Sequence, residues 1–144
     1  MTDYRYEFVK SAPIESIVAL YKAGGWWTES PQGRAVIAEM IRGSFCFVLA
    51  SDAQGRIVGM GRAISDGVSD AYIQDVVVLK QFRRLGIGRE MIRRLTQFCV
   101  DRRIEWIGLV AEPGTLEFYQ GLGYRELEGY RAMRYCKDPQ AGDT

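Results

Sequence analysis

Histidine is missing from this 144-residue chain. That absence removes every catalytic scheme built on an imidazole base, the Ser-His-Asp triad included. It also argues against a zinc site, because the three cysteines, Cys46, Cys99 and Cys136, supply no usual ligand set by themselves. No metal ligand is assigned. Any general base must be a carboxylate, a tyrosine, a lysine, a water or a backbone-held relay. The cysteines form no Cys-x-x-Cys pair. They suit a reducing, cytoplasmic compartment and buried thiols. No apolar run is long enough to span a bilayer, and no leader with a charged start and an apolar middle is read. Charge is balanced, with a net value of +1, so there is no bulk argument for a nucleic-acid or membrane partner.

What is present is ordinary in bulk and specific in pattern. Apolar residues make up 47% and charged residues 26%, as expected for a globular protein. The length predicts one domain, 1–144, with a full hydrophobic core. The chain is organised around the stretch from Tyr72 to Arg103. Ile73, Val76, Val77, Val78 and Leu79 make a β-branched run suited to a buried strand. A basic glycine turn follows, Arg83-Arg84-Leu85-Gly86-Ile87-Gly88. Ile87, Met91, Ile92, Leu95, Phe98 and Cys99 then fall on one helical face.

Strand, glycine turn and helix in that order make an anion site. The first N–H groups of a helix lack intrahelical partners, and the helix dipole adds positive potential. Glycines permit close backbone approach, and a phosphate or pyrophosphate is the expected guest. Arg83 and Arg84 add cationic side chains suited to it. A P-loop would need Gly-Lys-Ser/Thr at the helix start, and there is none. A dinucleotide fingerprint would need a third glycine where Met91 stands. What remains, Arg83-x-x-Gly86-x-Gly88 between a Val-rich strand and a helix, resembles the signature of the GNAT superfamily of acyl-CoA-dependent N-acetyltransferases.

Around this unit the chain reads as follows. Tyr4 to Val9 alternates like a strand, and Ser11 or Pro13 starts a helix that Gly24-Gly25 ends. Arg34 to Arg42 is helical. Phe45 to Ala50 and Arg56 to Ile64 form an antiparallel hairpin, with Gly59 and Gly61 open to close approach on one face. Ile104 to Val110 is a strand parallel to the Tyr72 strand, reached by a βαβ crossover. Thr115 to Leu122 is a short helix, and Tyr124 to Glu128 with Tyr130 to Cys136 reads as a final hairpin around Gly129.

Glu117-Phe118-Tyr119-Gln120-Gly121-Leu122-Gly123-Tyr124 is similar to a second GNAT marker, a Phe-Tyr pair followed by Leu-Gly-Phe/Tyr. Alone it reads as a helix with a glycine stop. In order behind the glycine turn it supports the resemblance. The implied fold is mixed α/β (α+β): a mostly antiparallel central sheet of six to seven strands with a splayed parallel pair, and about four helices on both faces. The implied reaction is acetyl transfer from acetyl-CoA to a primary amine by direct attack in a ternary complex. Backbone groups of Val76, Val77 and Val78 would bind the pantetheine arm. The turn and first helical residues Arg83, Arg84, Leu85, Gly86, Ile87, Gly88 and Arg89 would hold the pyrophosphate, and Phe118 would also contact the cofactor. Tyr119 matches the family's general-acid tyrosine. Asp75, a carboxylate inside an apolar strand, reads either as a base or as the partner of a nearby arginine. Tyr72 reads as a residue that orients a water.

Trp26 and Trp27 stand in a glycine-bounded loop. They read either as staples to the core or as a substrate wall, with one residue serving each purpose if the loop is extended. The Tyr72 to Val78 run, the Gly-Trp-Trp loop and the Gly129 to Met133 ending are similar to a branch that includes arylalkylamine acetyltransferases. An aromatic amine is the acceptor this hints at, with small polyamines, amino acids, aminoglycosides and protein N-termini or lysines left open. A non-catalytic acyl-CoA sensor on the same fold is the alternative. A nucleic-acid module using the arginines is disfavoured, since no aromatic platform accompanies them. A homodimer is expected by analogy alone.

Overall fold

The computed structural model describes residues 3–138 and 140. They fall into two compact units, Met1–Leu109 and Val110–Thr144. The first carries a five-stranded sheet whose spatial order follows the chain: β1 Arg5–Phe8, β2 Cys46–Ser51, β3 Ile57–Ser65, β4 Asp70–Val78 and β5 Trp106–Leu109. Neighbours from β1 to β4 are antiparallel, and β5 pairs parallel to β4. The expected crossover is present, because helix α3, Ile87–Asp101, joins the parallel strands.

Helices α1, Ile14–Ala23, and α2, Gly33–Gly43, cover one face. Ile17, Val18, Leu20 and Tyr21 of α1 and Ile37 and Ile41 of α2 pack with Phe47, Leu49, Met60 and Val77 of the sheet. Helix α3 covers the other face, where the glycines of β3 admit it. A Cβ on Gly59 would stand 3.0 Å from Met91 Cε, and one on Gly61 would stand 3.0 Å from Leu95 Cδ1. The close approach read from this glycine pair is thus made by α3. Pro13 begins α1, its carbonyl accepting from Ser16 and Ile17 N–H. Pro suits a helix entry because its φ is fixed and it has no N–H to satisfy.

The second unit contains helix α4, Leu116–Gln120, shorter at both ends than the Thr115 to Leu122 reading. Gly123, at φ 95°, takes the left-handed conformation that stops it. The expected final hairpin is not formed, since residues 124–136 contain no strand. Its turn exists, with Tyr130 N–H donating to the Leu127 carbonyl at 3.1 Å, but no ladder follows. The large apolar residues there, Tyr124, Leu127, Tyr130, Met133 and Tyr135, are spaced by threes and a two. They do not give the strict alternation that a half-buried strand requires, and a lone two-stranded hairpin is marginal. Among the described residues the sheet therefore has five strands, not six to seven. Cys136, expected buried, is exposed, whereas Cys46 and Cys99 are buried. Among the described residues no helix is long and apolar enough to cross a membrane.

Candidate functional site

The glycine turn leads into α3 through a left-handed residue. Gly86 precedes α3 in the left-handed conformation, at φ 86°, where a glycine avoids the Cβ penalty. Arg84 shares that hand at φ 65°. Intrahelical bonding starts with Glu90 N–H to the Gly86 carbonyl at 3.1 Å, and no side chain caps the end. Among the described residues the N–H groups of Ile87, Gly88 and Arg89 have no backbone acceptor. These donors, with a 15-residue helix behind them, present positive potential to solvent. Arg84 and Arg89 are exposed beside them.

Arg83 is committed elsewhere. Its Nε donates to the Val78 carbonyl at 3.0 Å and its guanidinium donates to the Ala23 carbonyl at 3.1 Å. It ties the end of β4 to the end of α1, a use that sequence spacing did not reveal.

Strand β4 supplies a second feature. Its pairing with β5 covers only Asp70 to Ile73, opposite Trp106 to Leu109. The strand continues to Val78, so among the described residues its β5-side edge has no strand partner along Gln74 to Val78. An extended ligand with amide groups could add there as a strand would. On the other side β4 carries a bulge. Met60 opposes Val77, but Arg62 opposes Gln74, so Gly61 faces both Asp75 and Val76. The extra residue resets the alternation and brings Tyr72, Gln74 and Val77 to the α1/α2 face.

Asp75 sits in the bulge at φ 58°. Its Oδ2 accepts from Arg62 Nε at 2.8 Å and from Tyr21 Oη at 2.9 Å. The ion-pair reading of this residue is therefore realised. Burial, then the adjacent Asp75 carboxylate, push the Tyr21 phenol well above its ordinary range, so it remains a donor. Sequence reasoning missed Arg62 and Tyr21, although an arginine within the glycine- and alanine-rich part of β3 was a signal of a buried partner. Tyr72 is half-buried and pairs between Ile64 and Gly108.

The two tryptophans of the α1–α2 segment differ in burial and contacts. Trp27 packs against the core cluster, donates from Nε1 to Glu29 at 2.8 Å and lies under the Arg34 guanidinium. Trp26 is 41% exposed and meets the Tyr21 ring edge-on at 6.3 Å. A separate cleft of about 830 Å³, lined by Tyr4, Tyr6, Asp52 and Arg94 among others, includes none of the expected site residues.

In the second unit Tyr119 is half-buried between Phe118 and Tyr124, with ring centroids 5.1 and 6.1 Å away. Burial first, then Glu112 and Tyr124, raise its phenol pKa. It is a protonated hydroxyl at neutral pH. Phe118 is 40% exposed.

Comparison with known proteins gives a consistent result. The sequence pattern described as the acetyltransferase (GNAT) family matches residues 14–124. An uncharacterized N-acetyltransferase ycf52 of Pyropia yezoensis is 33% identical over 111 residues, covering 74% of this chain and 63% of that protein. Serotonin N-acetyltransferase 2, chloroplastic, of Oryza sativa subsp. japonica is 36% identical over 92 residues, covering 63% of this chain and 46% of that protein. The chain thus spans less than two thirds of the length of these relatives. Among solved structures, an aminoglycoside N-acetyltransferase AAC(6')-Iy in complex with CoA superposes with a TM-score of 0.74. It is 17% identical, with 95% of this chain and 96% of that one covered, and shares the fold.

Proposed function

Because this chain belongs to the acetyltransferase (GNAT) family, we propose that it transfers an acetyl group from acetyl-CoA to a primary amine, acting as one acyltransferase domain over 1–144. The observation that carries this reading is the row of donors without a backbone acceptor at the start of α3, the next α-helix after a strand whose Gln74 to Val78 edge is unpaired by β5. A pyrophosphate fits the former and an amide-bearing arm fits the latter.

In this reading the Ile87, Gly88 and Arg89 N–H groups hold the pyrophosphate, and the exposed Arg84 and Arg89 side chains neutralise it. The backbone of Val76, Val77 and Val78 orients the arm. A β4 N–H near Val78 donates to the oxygen that becomes negative as the amine attacks the thioester carbon. The C–N bond forms, the C–S bond breaks, and Tyr119 protonates the departing thiolate. The amine must lose a proton, and a water held by Tyr72 is the proposed acceptor, since the Asp75 carboxylate is already engaged by Arg62 and Tyr21.

The acceptor we propose is an aromatic amine. The exposed Trp26 ring offers a face for it, and the rice relative's name points to the same class. A thiol-release assay with acetyl-CoA and a panel of arylalkylamines, polyamines and amino acids tests this. Turnover greatest with an arylalkylamine supports it. Binding of CoA with no turnover on any amine would favour a non-catalytic sensor.

A further inference from the structure

The bulge in β4 is built on a residue that its backbone disfavours. When one strand inserts an extra residue in the left-handed conformation, glycine ordinarily fills that place. Here Asp75 fills it, at φ 58°. Aspartate tolerates the conformation better than most residues, yet such strain persists only where the surroundings enforce it. The surroundings do so through three elements. Tyr21 of α1 and Arg62 of β3 both donate to Asp75 Oδ2, at 2.9 and 2.8 Å. Arg62 also reaches Ser44 Oγ at 3.5 Å, and that hydroxyl donates to the Met40 carbonyl of α2 at 2.6 Å. The ion pair is well shielded, its Arg62 and Asp75 side chains being 13% and 21% exposed.

The bulge has a large structural consequence. Without it, the residues after Asp75 would slip by one position, and Val77 would leave its core among α1 and α2 for the α3 face. The N–H and carbonyl groups of Val76 to Val78 would exchange sides with it. A residue that fixes the bulge therefore fixes which backbone groups of β4 look toward the free edge.

We infer that Asp75 is a positioning residue: with Tyr21 and Arg62 it locks the β4 bulge and so aims the Val76 to Val78 backbone at the acyl donor, rather than taking the substrate's proton. The inference rests on the acetyl-CoA reading for its functional meaning and on the bulge network for its structural one.

Two readouts test it separately. Amide hydrogen exchange over Val76 to Val78 reports the bulge without reference to activity. Steady-state kinetics report KM for acetyl-CoA and kcat. Asparagine keeps the left-handed tolerance and an acceptor oxygen for both donors, but takes no proton at neutral pH. Asp75→Ala and Tyr21→Phe are expected to speed exchange at Val76 to Val78 and to raise KM for acetyl-CoA, on the order of tenfold or more, as small misplacements do. Asp75→Asn is expected to restore most of what Asp75→Ala loses in both readouts. If Asp75→Asn instead loses about 10²-fold or more in kcat, with exchange and KM unchanged, Asp75 is a base and the inference is overturned. Wild-type exchange in Tyr21→Phe would also overturn it, and that variant decides the matter should Asp75→Ala not fold. A wild-type protein that neither binds CoA nor turns over would refute the acetyl-CoA reading, while the exchange comparison would still decide whether the network holds the bulge.

Discussion

Tyr119 keeps its proton because burial and two neighbouring groups, Glu112 and Tyr124, disfavour the phenolate. A general acid must be protonated at working pH and within reach of the leaving group. Tyr119→Phe preserves the ring contacts with Phe118 and Tyr124 and removes only the hydroxyl. It is expected to lower kcat by about 10²-fold or more with the dissociation constant for CoA near wild type, measured by titration calorimetry. Unchanged kcat would remove the residue from the mechanism. The tryptophan pair separates in the same manner. Trp27→Ala takes away core packing, a ring under Arg34 and an N–H donor, and should destabilise by about 1–3 kcal/mol in urea unfolding. Trp26→Ala should leave stability nearly unchanged and raise KM for an aromatic amine. At this scale the sequence was legible where a residue type is rare in its setting. Two adjacent tryptophans, and a carboxylate in an apolar strand, announced themselves. Arg62, Tyr21 and Ser44 were not legible as a network, because they lie 13, 54 and 31 positions from Asp75 and only the sheet register and helix packing bring them there. Arg83 read as a phosphate clamp for a related reason. Its partner, the Ala23 carbonyl, is 60 positions away.

Helix α3 carries both the end proposed to bind the pyrophosphate and the main contact on its face of the sheet. Its N-terminus depends on Gly86. A Cβ there would touch nothing within 4 Å, so the cost of Gly86→Ala is conformational. The left-handed penalty is about 1–2 kcal/mol. Relief of that strain would turn the Ile87 to Arg89 donors, so CoA affinity is expected to fall together with stability. Glu90 secures the next turn. Its carboxylate accepts from Arg93 and Arg94, and these bonds, Arg93's foremost, hold its pKa down at about 2. A folded-state pKa below the unfolded value of about 4.3 makes a stabilising contribution that is full above the unfolded pKa. It is lost as pH falls through the folded one. Urea unfolding should therefore show Glu90→Gln less stable than wild type at pH 7, with the gap closing between about pH 5 and pH 2. A gap constant across that range would contradict the assignment. Most elements were legible because their apolar periods were clean, as in α3 and β4. The residues after Tyr124 were not, since three-residue spacing of aromatics does not specify a strand. The bulge was also hidden, because a one-residue insertion leaves the local composition of β4 unaltered and appears only in its register with β3.

At the scale of the whole molecule, the family assignment rests on residues 14–124, which include the glycine turn, β4 and Tyr119. The glycine turn and β4 lie in the first compact unit and Tyr119 in the second. CoA is the ligand that both sequence signatures imply. A ligand that binds only the folded state must raise the melting temperature, by about 2.7 kcal/mol of added stability at a hundredfold excess over its dissociation constant. The direct test is a thermal-unfolding series with acetyl-CoA, CoA, NAD and ATP, run on wild type and on Gly86→Ala. The account predicts that acetyl-CoA and CoA raise the wild-type midpoint by several degrees, that NAD and ATP do not, and that Gly86→Ala reduces the rise. No rise with either CoA species would contradict it, and the turn before α3 would then be helix capping and nothing more.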